Sequence, residues 1–479
     1  MYEYLAFGVV YNRTIPTIML YEISDQKGLV MEMSLTDIRA IRKSLIISLR
    51  QTDESLFAES GITTLSLPTL ISIAGESSFS VVEIDDLIRK TTGINYSQIF
   101  WDTKGIDYSR LFQSKEFWRK IARFARECMD ILQNNGLMDF LLLEAKFTPI
   151  LHKMFDAGFP VDAKRVQCEY EELKRTLSVI GRKMGDGTDK LAELEHLRLK
   201  VEDKIRRIPF ECLKAKKSKV ILYSNFRSIG TDTFRISTNH INIQGLPKDI
   251  RNCLLPRKGD LLVEYDLTSS QIIILACLSG ESSLVEAYTK GEDLYLKIVS
   301  VLIRKQEKEI VEEEREVYKR IILQMIYGAG KRTIQKELKG NGINISYSDV
   351  CKMQKQFNQF FTAIEEYCHE VKTADWIRLP TGRIWKLKDS IEPYKRLAYI
   401  LQYMESTILR EALVLIDHEI EGKEIWLYLC IHDSVLLETK SVQYTEMRDI
   451  VYQCFNKALK KYFGKLKQVR IKENVLYEK

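Results

Sequence analysis

The sequence predicts a multi-domain α/β protein, and three observations carry that prediction. Its 479 residues exceed what one hydrophobic core ordinarily organises, so roughly two to four domains or subdomains are expected. Two short apolar runs of strand character, "LLVEYDL" at 261–267 and "IWLYLCIHDSVLLE" at 425–438, are separated by long charged helical stretches. The composition is 45% hydrophobic and 29% charged, the balance of an ordinary globular chain and not of a disordered or fibrous one. There is no internal repeat and no low-complexity segment.

The elements follow in chain order. "MYEYLAFGVV" and "TIPTIMLYEI", separated around "NRT", read as two strands of a hairpin, and the first lacks the basic region of a signal peptide. "SLTDIRAIRKSLIISLR" starts like a helix, with Ser34 or Thr36 as caps. Residues 115–160 read as helical up to a break at Gly158-Phe159-Pro160. Residues 161–207 read as a charged helix pair. "KAKKSK" then gathers Lys214, Lys216, Lys217 and Lys219. Strands and turns begin near 221, and "LPTGRIWKL" reads as a turn or hairpin around Gly382.

Charge and cysteine usage narrow the function classes. A net charge of +6 is mild for this length, so a polyanion partner requires clustered basic residues such as the lysine group. Equally, four lysines in a row of six residues are commonly just a solvated loop. The nine cysteines form no CxxC pair, and the histidines form no HExxH. That argues against a zinc site or a disulfide framework and for a reducing compartment. No apolar run is long enough to span a bilayer. The expectation is a soluble intracellular protein, cytoplasmic or nucleoid-associated, with an organelle not excluded.

The chemistry lies in the two apolar runs. Asp266 ends the first, and Asp433 sits inside the second beside His432 and Ser434. A carboxylate in such surroundings is costly unless a cation or strong donors answer it. One such aspartate is ordinarily a hydrogen-bonded turn residue. Two, on two buried strands, point to a shared divalent cation. Mg²⁺ accepts one or two protein carboxylates and leaves its remaining positions to water and phosphate. A third segment, "REVYKRIILQMIYGAG", is helical until Tyr327-Gly328. Its Arg315, Lys319, Leu323 and Tyr327 step by four, so at about 100° per residue they lie along one slowly winding stripe. Two cations, an apolar residue and an aromatic in that order suit a nucleoside triphosphate. The preceding "EKEIVEEERE" equally fits a solvated helix with i,i+4 charge pairs.

In this order and spacing the segments resemble the polymerase portion of family A DNA polymerases, the DNA polymerase I type, over roughly residues 140–479. "DLTSSQIIILACLSGE" aligns without gaps on the first palm motif, with Asp266 at the metal-binding aspartate. "RxxxKxxxLxxxYG" matches the fingers helix through Arg315, Lys319, Leu323 and Tyr327, and "IHDS" matches the last palm motif through His432 and Asp433. "TFRISTNHINIQGLPK" resembles the thumb-to-palm segment through Arg235, Ser237, Asn242 and Gln244. "TGR" supplies Arg383 after the fingers, Gln402 falls on the glutamine of a palm helix that follows the primer-template minor groove, and "AGFPVD" resembles the base of the thumb.

The resemblance implies a right-hand fold. The expected divisions are residues 1–140 as an N-terminal domain, 141–235 as thumb, 236–290 as the first part of the palm, 291–384 as fingers and 385–479 as the second part of the palm. It implies a DNA-directed DNA polymerase that extends a primer 3′-OH with dNTPs. Asp266, Asp433 and the Leu267 carbonyl would hold two Mg²⁺ ions, with Mn²⁺ as a substitute. Lys319 would be catalytic. Arg315, Lys319, Leu323, Tyr327, Gln271 and Leu267 would bind the dNTP. Arg235, Asn242, Gln244, Arg383, Gln402, His432 and the four lysines would bind DNA. The expected partners are primer-template DNA and dNTPs, with no membrane. A monomer is expected, an accessory protein for the N-terminal domain being an option.

Three positions depart from the family pattern. Gln271 stands where a glutamate blocks a ribose 2′-OH, Leu323 where an aromatic packs beneath the sugar, and Ser434 where a second acidic residue follows the catalytic aspartate. Some departures lean toward single-subunit RNA polymerases, which keeps an RNA polymerase-like or ribonucleotide-tolerant enzyme as the alternative, while "NIQGLP" favours the DNA enzyme. A non-catalytic nucleic-acid-binding remnant is the further alternative, which both aspartates, Arg315 and Lys319 argue against. "EYLAFGVVYN" lacks the D-x-E pair of a 3′→5′ exonuclease. Residues 1–140 are therefore expected to be an inactive exonuclease-like domain or an unrelated accessory one, with no proofreading. Asp85, Asp86, Asp102 and Asp107 read as surface residues.

Overall fold

The computed structural model describes residues 4–12, 17–22, 30–34, 44–49, 63–75, 81–92, 114–185, 191–387, 391–464, 466 and 468–478. Asp102 and Asp107 lie outside them. The chain divides into two compact units. The first comprises Met1–Asp156, Phe226–Ser237 and Arg378–Trp385; the second comprises Ala157–Asn225, Thr238–Ile377 and Lys386–Lys479.

The first unit opens with a five-stranded sheet in the order β3-β2-β1-β4-β5. β1 (Tyr4–Asn12), β2 (Thr17–Glu22) and β3 (Val30–Ser34) are joined antiparallel, so the expected hairpin forms. β4 (Ser44–Ser48) and β5 (Thr63–Ser66) extend the sheet in parallel from β1. β4 corrects the expectation of a helix running to residue 50. Its "SLIIS" core is apolar and β-branched, and Ile46 and Ile47 are fully buried, which suits a strand covered on both faces better than a surface helix. Residues 35–43, where that helix was expected to start, lie outside the described part.

Helices then cover the unit. Ser66 caps Leu67–Ala74, and Ser114 caps Lys115–Asn134 by accepting the Phe117 N–H at 3.3 Å. Trp118, Ile121 and Leu132 of the longer helix are fully buried. Asp85 and Asp86 lie half-buried on Val81–Thr92, where Asp86 pairs with Arg89. Met138–Ala157 follows, and Gly136 just before it takes a φ of 63°; a Cβ there would fall 2.1 Å from the Gly382 carbonyl oxygen. Only glycine permits this approach.

The second unit begins at Ala157, next to the Gly-Phe-Pro break that ends the preceding helix as expected. β6 (Phe159–Asp162) pairs antiparallel with β7 (Lys219–Leu222), and between them run the two predicted helices, Ala163–Gly185 and Leu191–Arg206. The short strands β8 (Asn225–Arg227) and β9 (Ser237–Asn239) fall where the chain passes from one unit to the other, Phe226–Ser237 belonging to the first. The central element is a four-stranded antiparallel sheet in the order β13-β14-β10-β15. It is built from β10 (Leu261–Leu267), β13 (Ile425–Ile431), β14 (Ser434–Thr439) and β15 (Ile471–Glu478). The strands β11 (Trp376–Arg378) and β12 (Ile384–Lys386) lie earlier, flanking Gly382 with its φ of 89°.

The central sheet explains its own sequence. Leu262, Val263, Tyr265, Leu429, Cys430, Val435, Leu436 and Leu437 are fully buried. Helices 270–279, 396–419 and 444–462 carry buried faces of the same unit. Charge inside the sheet is answered where it is structural. Glu438, 1% exposed, pairs with Arg257 at 3.1 Å and accepts the Lys258 backbone N–H at 3.1 Å. Such pairing is what makes a buried carboxylate tolerable.

Candidate active site

The stretch 425–438 is not one strand, and this corrects the sequence expectation. It is a hairpin. Ile431 pairs with Ser434, which leaves His432 and Asp433 as the two turn residues. His432 takes a φ of 52°, a left-handed conformation that costs a non-glycine residue on the order of 1 kcal/mol and is retained chiefly where function requires it. Apolar residues on both sides of the run belong to two strands, which is why the carboxylate seemed to lie in a strand interior.

β10 brings the second aspartate to the same end of the sheet. Asp266 is opposite Ser434 on β14 and opposite Lys472 on β15. Asp433 therefore stands one residue from the position facing Asp266. After Leu267 the chain turns through Ser269, whose φ is 54°, into the helix Ser270–Ser279. This strand-turn-helix sets Ser270 and Gln271 in the first helical turn, beside the two aspartates.

The electrostatics of the two carboxylates are those of charges waiting for a cation. Burial, the Glu405 carboxylate and Asp266 together push Asp433 up from 3.8 to about 7, against the hydrogen bond from Ser270. Asp266 is likewise raised, by burial and by Glu264, with Lys319, Lys472 and Arg251 opposing. Glu264 is itself braced: it pairs with Arg251 at 3.2 Å and accepts the Ser434 hydroxyl at 3.1 Å. Ser434 thus serves the sheet interior beneath Asp266.

Glu405 carries no motif signal, yet it is central. It lies on the helix Arg396–Glu419, one turn after Gln402, and is 3% exposed. Ser270 Oγ lies 2.6 Å from Glu405 Oε1 and 2.9 Å from Asp433 Oδ2, so its single proton is shared between two carboxyl groups. Gln271 Nε2 donates to Glu405 Oε2 at 3.1 Å, and the Tyr327 hydroxyl donates to Gln271 Oε1. The clue available in sequence is a carboxylate in the apolar run "LAYILQYMESTILREALV".

The predicted stripe is real. Arg315, Lys319 and Leu323 share the helix Glu312–Ile326, Tyr327 is its C-terminal residue, and Gly328 turns the chain with a φ of 79°. Lys319 acts on Asp266 electrostatically, and its Nζ lies 5.2 Å from the Tyr295 ring centre. Arg315 is more constrained than the sequence implies. Its Nε and Nη2 bond Asp293 at 2.9 and 2.7 Å, and Nη1 bonds Glu312 and Glu316. Asp293 also caps the helix Leu294–Ile303, so Arg315 ties two helices together.

The residues expected on DNA divide into groups. Lys214, Lys216, Lys217 and Lys219 are all exposed. His432 and Asn242 are exposed, and Gln402 and Arg235 are half-buried. Asn242 Oδ1 accepts the Gly245 N–H at 2.9 Å and the Thr238 hydroxyl at 2.8 Å. Two positions need correction. Arg383 is 0% exposed, its guanidinium 3.6 Å from the Trp385 ring centre and 4.8 Å from that of Phe234. It packs the interior of the first unit and does not present itself to a duplex. Gln244 is 8% exposed and donates to the Cys430 carbonyl at 2.9 Å, which braces β13 beside the hairpin turn. Both are long polar side chains that turn inward, Arg383 against aromatic rings and Gln244 to a carbonyl, which spacing alone does not reveal.

Among the described residues no three His, Cys, Asp or Glu side chains form a cage for a metal ion. Two carboxylates at one sheet end, both raised by burial, are a donor set that a hydrated Mg²⁺ with phosphate ligands accepts. Among the described residues no helix is long and apolar enough to cross a membrane.

The fold around these residues is that of a polymerase domain. Residues 188–475 match the family model of DNA polymerase family A. The chain is 25% identical to DNA polymerase I of Aquifex aeolicus over 487 aligned positions, covering 96% of this chain and 78% of that protein. It is 26% identical to DNA polymerase theta of Caenorhabditis elegans over 248 positions, 48% of this chain and 14% of that protein. The polymerase domain of Pol1 from M. smegmatis, solved with DNA primer-template and dNTP, superposes with a TM-score of 0.71 at 15% identity, covering 99% of this chain and 95% of that one. The chain belongs to DNA polymerase family A, the DNA-directed DNA polymerases of the polymerase I type. Members of this family generally use divalent metal ions.

Proposed function

We propose that this chain extends a primer 3′-OH on a DNA template with dNTPs, using two Mg²⁺ ions, and does so without proofreading. The observation that carries the reading is the meeting of Asp266 and Asp433 at one end of the β10–β14 ladder, with the Lys319 charge acting on Asp266. Asp266, Asp433 and the Leu267 carbonyl would hold the ions, with Mn²⁺ as substitute. Bound divalent ions supply activation of the attacking oxygen and stabilisation of the leaving one.

The chain's own residues do the rest. Lys319 neutralises charge that develops on the triphosphate and stands ready to protonate the departing pyrophosphate. Tyr327 and Gln271, joined by a hydrogen bond, form one surface against the incoming nucleotide. Leu323 offers that nucleotide an apolar contact. Arg315 reaches phosphate once it is released from Asp293. His432 and Gln402 meet the primer terminus and the minor groove. Asn242 and Arg235 meet the duplex, and the exposed lysines meet its phosphates.

In this reading residues 141–235 are the thumb, 236–290 and 385–479 the palm, and 291–384 the fingers. The first 140 residues are an exonuclease-like domain without its metal pair, since β1 offers no D-x-E. The working form is a monomer on primer-template DNA. Uncharged Gln271 and apolar Leu323 favour a second reading, tolerance of ribonucleotides. Primer extension on DNA and RNA templates with dNTPs or NTPs tests both. Extension with dNTPs on DNA supports the first reading, equal use of NTPs the second, and no extension with either removes both.

A further inference from the structure

Gln271 carries no charge, yet it is not left to choose its own orientation. Its amide nitrogen donates to Glu405 Oε2 at 3.1 Å, so its carbonyl oxygen is the end turned to the Tyr327 hydroxyl. The other oxygen of Glu405 accepts Ser270 Oγ at 2.6 Å, and the same hydroxyl lies 2.9 Å from Asp433. One carboxylate therefore holds two neighbours: Gln271, which meets Tyr327 at the end of the helix Glu312–Ile326, and Ser270, whose oxygen lies beside Asp433. Glu405 is 3% exposed and Ser270 5% exposed. A donor or acceptor reversed there has no water to turn to.

We infer that Glu405 is a positioning residue for nucleotide addition: it fixes the amide orientation of Gln271, and hence the Gln271–Tyr327 surface, while holding Ser270 against Asp433. The inference rests on the polymerase reading of the site. It also accounts for how an uncharged residue serves at position 271. The negative charge has moved to the neighbouring helix, and the amide points outward because Glu405 accepts from its nitrogen.

The arrangement makes a reciprocal exchange informative. In Glu405→Gln, one of the two acceptor oxygens becomes an NH₂ group that faces a donor, so one arm is broken. In Gln271→Glu, two carboxylates face each other. In the double variant every pairing returns: the Gln introduced at 405 donates to the Glu introduced at 271 and accepts from Ser270, and that Glu accepts from Tyr327. Each single variant is expected to lower kcat/KM for dNTP about tenfold, the size of one disrupted buried hydrogen bond. The double variant is expected to recover to within about threefold of the parent chain, because coupled neighbours do not add.

The test is steady-state single-nucleotide addition by the four proteins, with primer-template affinity and thermal unfolding measured alongside. Recovery in the double variant, in kcat/KM and in unfolding temperature, supports the inference. A double variant as impaired as the product of the singles, about 100-fold down, overturns it. The unfolding cycle is read without substrate, so absence of coupling there overturns the hydrogen-bond network whatever the activity. If the parent chain adds no nucleotide, the polymerase reading falls. If the parent adds nucleotides and the singles are additive, only the role of Glu405 falls.

Discussion

Asp266 sits opposite Ser434 in the antiparallel ladder between β10 and β14, so Asp433 is the next residue along, at the hairpin turn. Two carboxylates 167 positions apart in sequence by numbering (433 less 266) thus reach the same sheet end by strand register alone. A slip of one residue would turn one of them to the other face. Burial raises both above the ordinary carboxylate range, aided by Glu264 at Asp266 and by Glu405 and Asp266 at Asp433.

Replacing either aspartate should therefore separate chemistry from binding. Asp266→Asn and Asp433→Asn are each expected to lower single-turnover extension by on the order of a thousandfold or more, since on the proposed mechanism each removes a metal ligand. Primer-template affinity, measured by fluorescence anisotropy, is expected to stay within about threefold. Extension retained near the parent rate in either variant would remove that residue from the site.

The elevated Asp433 carboxyl also sets a pH dependence. In the unfolded chain this group titrates near 3.8, and in the folded metal-free chain near 7. Below about pH 4 both states hold the proton and the group costs nothing. As pH rises through the window to about 7, the unfolded chain releases its proton first and the folded state loses stability. Bound Mg²⁺ favours the ionised form, so the gain in Tm on adding Mg²⁺ should grow across that window and level off above it. Calorimetry from pH 5 to 8, with and without chelator, measures this. A gain that shrinks as pH rises would contradict the assignment.

Lys319 and Arg315 should part company. Lys319 has its charge near Asp266, so Lys319→Ala is expected to lower kcat/KM for dNTP by on the order of 100-fold with little change in stability. Arg315 joins Asp293 across two helices, so Arg315→Ala is expected to lower Tm by several degrees as well as raise KM, because a part-buried pair is broken. A Lys319→Ala variant with unchanged kcat/KM would place that side chain outside the chemistry.

The lysine cluster predicts a change in salt dependence. With Lys214, Lys216, Lys217 and Lys219 replaced by serine, the slope of log affinity against log salt should become shallower by about 0.9 for each phosphate contact removed. Titration of primer-template binding between about 50 and 200 mM salt reads this slope. An unchanged slope would make the cluster a solvated loop.

That the two aspartates reach one end of a sheet was legible in sequence because it depends on main-chain order. A carboxylate at the end of an apolar strand, a second in an apolar run and a four-residue stripe ending at Tyr327-Gly328 each leave a local signature. What stayed hidden depends on where long side chains end. Arg383 and Gln244 match motif positions, yet their polar ends turn inward to Trp385 and to the Cys430 carbonyl. Glu405 matches no motif and becomes visible only when the helix Arg396–Glu419 lays it against Ser270 and Gln271. β4 failed as a helix for a related reason, since its parallel pairing with β1 outweighs the capping signal upstream.

The most direct test of the central claim is anomalous diffraction from crystals of the chain soaked with Mn²⁺, primer-template DNA and a non-hydrolysable dNTP. The account predicts manganese bound by carboxylate oxygens of both Asp266 and Asp433. Manganese bound elsewhere, or the two carboxylates engaged only by protein groups and sharing no ion, would contradict it.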